Sequence, residues 1–142
     1  MTGLEQLRAA FDPEHPERGP GIGRTMGFTV VEMEEGRVVF GGHPDESVHN
    51  PIGTVHGGYA ATLLDSAVGC AVHSALKAGQ GYTTLELKVA YHKAMTDKTG
   101  LVRAEGRVSS IGRRAAFAEA TLKDANGRLL ASATSTLLVM DK

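Results

Sequence analysis

Residues 49–76 read HNPIGTVHGGYAATLLDSAVGCAVHSAL, and the hydrophobic period changes inside this stretch. Ala60, Leu64, Ala67, Val68, Ala71, Val72 and Ala75 follow the i, i+4, i+7, i+8 rule of a helix with one apolar face. The spacing predicts one long helix over 56–76. Upstream, 28–34 and 37–43 read as two strands joined at Glu35-Gly36, where glycine allows a tight turn. Downstream the period falls to two. Leu85, Leu87, Val89 and Tyr91 are set against Thr84, Glu86, Lys88 and His92, the alternation of a half-buried strand. Further alternating runs cover 101–109, 115–123 and 129–139, separated by Ser110-Ile111-Gly112 and by Asn126-Gly127, the latter a strong hairpin signal. Ala116, Ala118 and Ala120 in one run, with Ala131, Ala133 and Ser135 in the next, make a smooth face against which a helix can lie. Two strands, a long helix and four strands joined by short hairpins imply an α+β fold: a long central helix wrapped by a curved antiparallel sheet.

At the amino end Leu4, Leu7 and Phe11 have helical spacing, so a short helix is expected over 3–11 before Pro13, Pro16 and Pro20 interrupt it. Residues 12–23 then read as a tether. The 142 residues suit one domain, with 1–24 as helix and tether and 25–140 as core. A formal net charge of −1 and the lack of any run interleaving Lys or Arg with aromatics disfavour a nucleic-acid partner. Cys70 is the only cysteine, which excludes an intrachain disulfide framework and any cysteine pair at zinc spacing. His49, His73 and His92 belong to no H-E-x-x-H motif or His/carboxylate cluster, so they read as surface or satisfied histidines and no metal is expected. The residues from Met1 to Phe11 lack a basic region followed by an apolar run, and no stretch approaches a membrane span; a cytoplasmic location without a membrane partner is expected.

The candidate chemistry lies where the loop meets the long helix. Backbone N–H groups in a helix's first turn lack intrahelical acceptors and sit at the positive end of its dipole, so they suit a developing oxyanion. Gly57 and Gly58 carry no β-carbon to block a carbonyl's approach. Asp65, at the border of the apolar stripe with Ala61 and Gly69 one turn either side, is a candidate nucleophile or general base. It lies eight residues from Gly57, about 12 Å along the axis and roughly 80° around it. One helix can hardly aim both groups at one carbonyl. Two antiparallel copies related by a two-fold axis can place Gly57 of one chain opposite Asp65 of the other, so a homodimer with a shared site is expected.

The pattern Asn50-Pro51, Gly53, His56-Gly57-Gly58 and Asp65, followed by a strand beginning Thr83-Thr84, resembles the phenylacetic-acid-degradation type of hotdog thioesterase, within the 4-hydroxybenzoyl-CoA thioesterase superfamily. The likeness covers about 27–139 in element order, and 50–65 is its specific part. The resemblance implies a hotdog fold and hydrolysis of an acyl-CoA thioester, aryl or phenylacetyl or medium to long acyl, to free acid and CoA. No cofactor is implied, CoA being part of the substrate. By the resemblance, the Gly57 N–H would polarise the thioester carbonyl, Asp65 would be nucleophile or base, and Asn50 would help position water or substrate. His56 would stand beside the oxyanion donor and Thr84 would assist the water. The turn before the penultimate strand often contacts CoA in such proteins, which makes Ser110, Gly112, Arg113 and Arg114 candidate contacts; paired arginines suit phosphate by charge and fork geometry. Gly58 is a further substrate-contact candidate, and Tyr59, Leu63, Leu64 and Val68 are candidates to line an acyl channel by position on the helix.

Bland alternatives stand beside these. Asp65 can be a solvated helix-edge acid, Gly57-Gly58 a flexible helix start, His56 a structural hydrogen-bonding residue, Asn50 a turn former, and Arg113-Arg114 a charged hairpin tip. The rival functions are a hotdog hydratase or dehydratase, which usually pairs a histidine with an acid in another motif, and a non-catalytic acyl-CoA-binding protein. A homodimer, with a dimer of dimers as the next assembly, is the expected quaternary state.

Overall fold

Helix α3 (Gly57–Ser74) is the axis of the computed structural model, which describes residues 1–15, 19 and 21–142. Pro16 and Pro20 of the expected tether lie outside the described residues. Two short helices, α1 (Gly3–Ala10) and α2 (Gly21–Met26), precede strands β1 (Thr29–Glu34) and β2 (Arg37–Gly42). After α3 come β3 (Gln80–Tyr91), β4 (Val102–Ile111), β5 (Ala115–Asp124) and β6 (Leu129–Asp141). The strands form one antiparallel sheet in the order β1-β2-β4-β5-β6-β3.

The helix period is realised as burial. Leu63, Leu64, Ala67, Val68, Ala71 and Val72 are all 0% exposed, and each larger side chain among them contributes about 1.5–3 kcal/mol on leaving water. They press on the expected smooth face: Ala116, Ala118, Ala120, Ala131, Ala133 and Ser135 are buried, with Ala118 opposite Ser135 and Ala120 opposite Ala133 across β5 and β6. Gly106 of β4 carries this furthest, since a Cβ there would run into the Ala67 carbonyl of α3. Gly106→Ala is therefore expected to cost about 1–3 kcal/mol by overpacking, read in a thermal melt as a fall of roughly 5 °C. An unchanged melt would show that helix and sheet can separate freely at this point.

The turns obey local chemistry. Gly36, at φ +83°, and Gly127, at φ +81°, supply the left-handed positions that the β1–β2 and β5–β6 hairpins need. Asp124 accepts N–H bonds from Asn126 and Arg128, both at 2.9 Å, to close the second turn.

Four expectations change. The tether ends early, because Gly21–Met26 is helical. Residues 110–111 belong to β4 rather than to the turn, which is Gly112–Arg114. β3 and β4 are not a hairpin: the connection 92–101 carries the chain from the edge strand β3 to β4, between β2 and β5. The last concerns the phase of β3. A bulge between Thr84 and Glu86 slips the alternation by one, so Leu85 is 60% exposed while Thr84 joins the helix-facing side with Leu87 and Val89.

Candidate active site

The loop before α3 is tied down from both sides. Val55 N–H donates to Met95 O at 2.9 Å, His56 N–H to Val48 O at 2.8 Å, and Asn50 N–H to Thr54 O at 2.8 Å. Inside it, Asn50 Oδ1 accepts the N–H groups of Ile52 (3.1 Å) and Thr54 (3.2 Å), while Nδ2 donates to Thr54 Oγ1 at 2.8 Å. These bonds describe an amide that shapes its own turn, the bland alternative for Asn50.

His56 is the N-cap of α3, in extended conformation (φ −60°, ψ 137°). Its Nδ1 accepts the Gly58 N–H at 2.7 Å, and the Tyr59 N–H reaches His56 O at 3.0 Å. The Gly58 N–H is thereby committed to the cap, while the residue itself still lines the cavity beside Gly57. Among the described residues, the Gly57 N–H is the one of these three first-turn amides without an acceptor, and it stands at the positive end of an 18-residue helix. It borders a cavity of about 510 Å³ lined by Val55, Gly57, Tyr91, Lys93, Met95 and Leu130 among others.

Two turns along, partly buried Asp65 accepts the Thr84 hydroxyl on Oδ1 at 3.0 Å. The β3 bulge makes this contact possible, since the uninterrupted alternation would aim Thr84 away from α3. The slot expected beside Gly69 is filled by the Tyr82 phenol, whose oxygen would lie 3.0 Å from a Cβ on Gly69. Burial first, then Cys70 and Asp65, raise the pKa of that phenol, so it stays protonated. Burial, with Asp65 second, pushes the Cys70 thiol up to about 12, which leaves no thiolate nucleophile at neutral pH.

The expected channel lining is corrected. Leu63, Leu64 and Val68 are sealed in the helix–sheet core, because the apolar stripe faces the sheet. Tyr59 is 2% exposed, stacked edge-on to Phe28 at 5.5 Å, with its buried hydroxyl unpartnered. Ser110, Gly112, Arg113 and Arg114 are exposed. Neither arginine makes an ion pair among the described residues. Ala116, Leu137 and Thr84 lie on one rung of the sheet, so the arginine turn begins about 10 Å across two strand spacings from Thr84. Among the described residues no group of three His, Cys, Asp or Glu is placed to hold a metal, and no helix is long and apolar enough to cross a membrane. Sequence reasoning gave Tyr91 no part in the site; its place in the helix-facing alternation of β3 was the available signal.

A helix capped this way and wrapped by a six-stranded antiparallel sheet is the hotdog fold, and the chain belongs to the thioesterase superfamily, whose family model matches residues 52–131. It is 29% identical over 122 residues to a 1,4-dihydroxy-2-naphthoyl-CoA hydrolase of Listeria monocytogenes, covering 86% of this chain and 98% of that one. A thioesterase family protein from Silicibacter pomeroyi shares the fold with a TM-score of 0.85, 24% identity and 99% of both chains covered. A hypothetical thioesterase from Streptococcus pneumoniae, solved with coenzyme A, is 28% identical with a TM-score of 0.74, covering 81% of this chain and 90% of that one.

Proposed function

We propose that this protein hydrolyses an acyl-CoA thioester to the free acid and CoA, at a site completed by a second copy of the chain. The observation that carries the proposal is a Gly57 N–H with no acceptor among the described residues, on a residue that lines an open cavity, with a hydroxyl-braced carboxylate two turns further along the same helix. The N–H takes the negative charge that develops on the thioester oxygen. Asp65 either attacks the carbonyl carbon or removes a proton from the attacking water, and the Thr84 hydroxyl fixes its direction.

The geometry of β3 supports the shared site. It is an edge strand of twelve residues, paired among the described residues with β6 alone, and a long bare edge is a template for another strand. Tyr91 touches Gly57 and Thr84 touches Asp65, so β3 carries a marker for each half of the chemistry. Antiparallel pairing of two β3 strands about a two-fold axis at Lys88 sets Thr84 level with Tyr91 of the second copy, because the bulge makes Thr84 to Glu86 a single step of the ladder. Each Asp65 then faces the other copy's Gly57. The same pairing brings the Arg113-Arg114 turn of one copy toward the cavity of the other, where the phosphates of CoA would meet it.

A CoA hydrolase relative and a CoA-bound neighbour favour CoA as the thiol carrier. The substrate range proposed is aryl, phenylacetyl and medium or long acyl groups. Purified protein is expected to release thiol from members of a panel of these acyl-CoAs, followed with a thiol-reactive chromophore. Tight binding of acyl-CoA with no release across the panel would favour the non-catalytic alternative.

A further inference from the structure

Tyr91, the last residue of β3, is 57% exposed, and yet its hydroxyl is engaged. It donates to the Gly57 carbonyl oxygen at 2.8 Å, and its ring lies so close that a Cβ on Gly57 would sit 3.1–3.4 Å from three of its atoms. The peptide unit that receives this bond carries, at its other end, the Gly58 N–H that donates to His56 Nδ1 at 2.7 Å. Three groups therefore stand in series: phenol, peptide and imidazole. A bond accepted at the carbonyl polarises the peptide and strengthens its N–H as a donor. A backbone N–H can only donate, so His56 Nδ1 is the unprotonated nitrogen and the neutral ring carries its proton on Nε2.

We propose that Tyr91 is a positioning residue for thioester hydrolysis, which through the Gly57–Gly58 peptide aims the free Gly57 N–H and holds His56 in its Nε2–H form. The need for such a clamp follows from the sequence. Two consecutive glycines open α3, and glycine gives a helix start more conformational freedom than any other residue. An oxyanion donor is effective only when its direction is fixed before the charge appears. The His56 cap restrains the peptide from its N–H end and Tyr91 from its carbonyl end. Tyr91 also sits on the strand that the shared-site model pairs with a second copy, so the clamp couples the aim of one half-site to the position of the other. The inference rests on the thioester reading above.

Tyr91→Phe keeps the ring against Gly57 and removes only the hydroxyl. Wild type, Tyr91→Phe and Asp65→Asn are to be measured together for thiol release, melting temperature and imidazole nitrogen NMR. Tyr91→Phe is expected to lower kcat about tenfold, the size of one lost hydrogen bond, with KM within about twofold and the melt unchanged. Its His56 signals should move from the Nε2–H pattern toward a mixture of tautomers. Wild-type kcat together with wild-type His56 signals in Tyr91→Phe, beside an active wild type and a disabled Asp65→Asn, would overturn the clamp and leave the thioester reading intact. A wild type that releases no thiol would remove the thioester reading, and the catalytic role of Tyr91 with it. The His56 signals are read without turnover, so that outcome stays distinct from failure of the relay itself.

Discussion

Asp65→Asn is expected to lower kcat for thiol release by at least about 100-fold, the lower end of what a positioned base contributes, while KM changes far less. The substitution keeps the side-chain shape and an oxygen able to accept the Thr84 hydroxyl that Asp65 Oδ1 now accepts at 3.0 Å. It removes the negative charge, and with it both the nucleophile and the base. The fold should not suffer. Asp65 is partly buried beside groups whose ionisation it opposes, the Cys70 thiol and the Tyr82 phenol, and a neutral amide is easier to leave in that surrounding than a carboxylate. The melting temperature of Asp65→Asn should therefore equal or exceed that of wild type, the usual sign that a residue serves chemistry at some expense of stability. A variant that melts normally and turns over at the wild-type rate would take Asp65 out of the reaction.

The elements that were legible in the sequence are those whose period runs unbroken. The seven apolar positions from Ala60 to Ala75 locate α3 to within two residues at each end, and Asn126-Gly127 marks the β5–β6 hairpin that forms. What escaped was set by contacts distant in sequence. The β3 bulge is a single extra residue, Leu85, in a run of good strand formers, and nothing local distinguishes it from its neighbours. The β3–β4 connection is ten residues long, short enough to resemble a loose hairpin, but it crosses the sheet because β4 finds its partners in β2 and β5. At the candidate site, Gly57 and Asp65 stood out by residue type and spacing, and His56 by the family resemblance. The division of labour between the two glycines did not, since it depends on which N–H the His56 ring captures. The channel lining failed for a related reason: a helix shows its apolar face in the sequence without saying that the sheet covers all of it.

Two inactive chains are expected to restore activity when mixed, and this second result bears directly on the shared site. Asp65→Asn retains a competent Gly57 N–H. Gly57→Pro retains Asp65 and deletes the N–H, at a position where proline is tolerated: it would be the first residue of α3, where proline's fixed φ suits the helix. The residue before it, His56, already has ψ 137°, the extended geometry that precedes proline. The Tyr91 ring must shift to admit the new side chain, and that disturbance falls on the half-site that Gly57→Pro has already disabled. If Gly57 of one chain works with Asp65 of the other, a mixed dimer holds one wholly intact site and one doubly damaged site. Random exchange makes half the dimers mixed, so the mixture should reach about a quarter of wild-type activity, starting from two preparations that are each nearly inactive. A site contained within one chain predicts no recovery at any mixing ratio. The discriminating measurement is thiol release after subunit exchange has been demonstrated with differently tagged chains, because full exchange without recovery would place Asp65 and its oxyanion donor on the same subunit. The geometry argues against that outcome, since Gly57 and Asp65 are about 12 Å apart along a rigid helix and a thioester carbonyl must meet both within hydrogen-bonding and attack distance, about 3 Å from each.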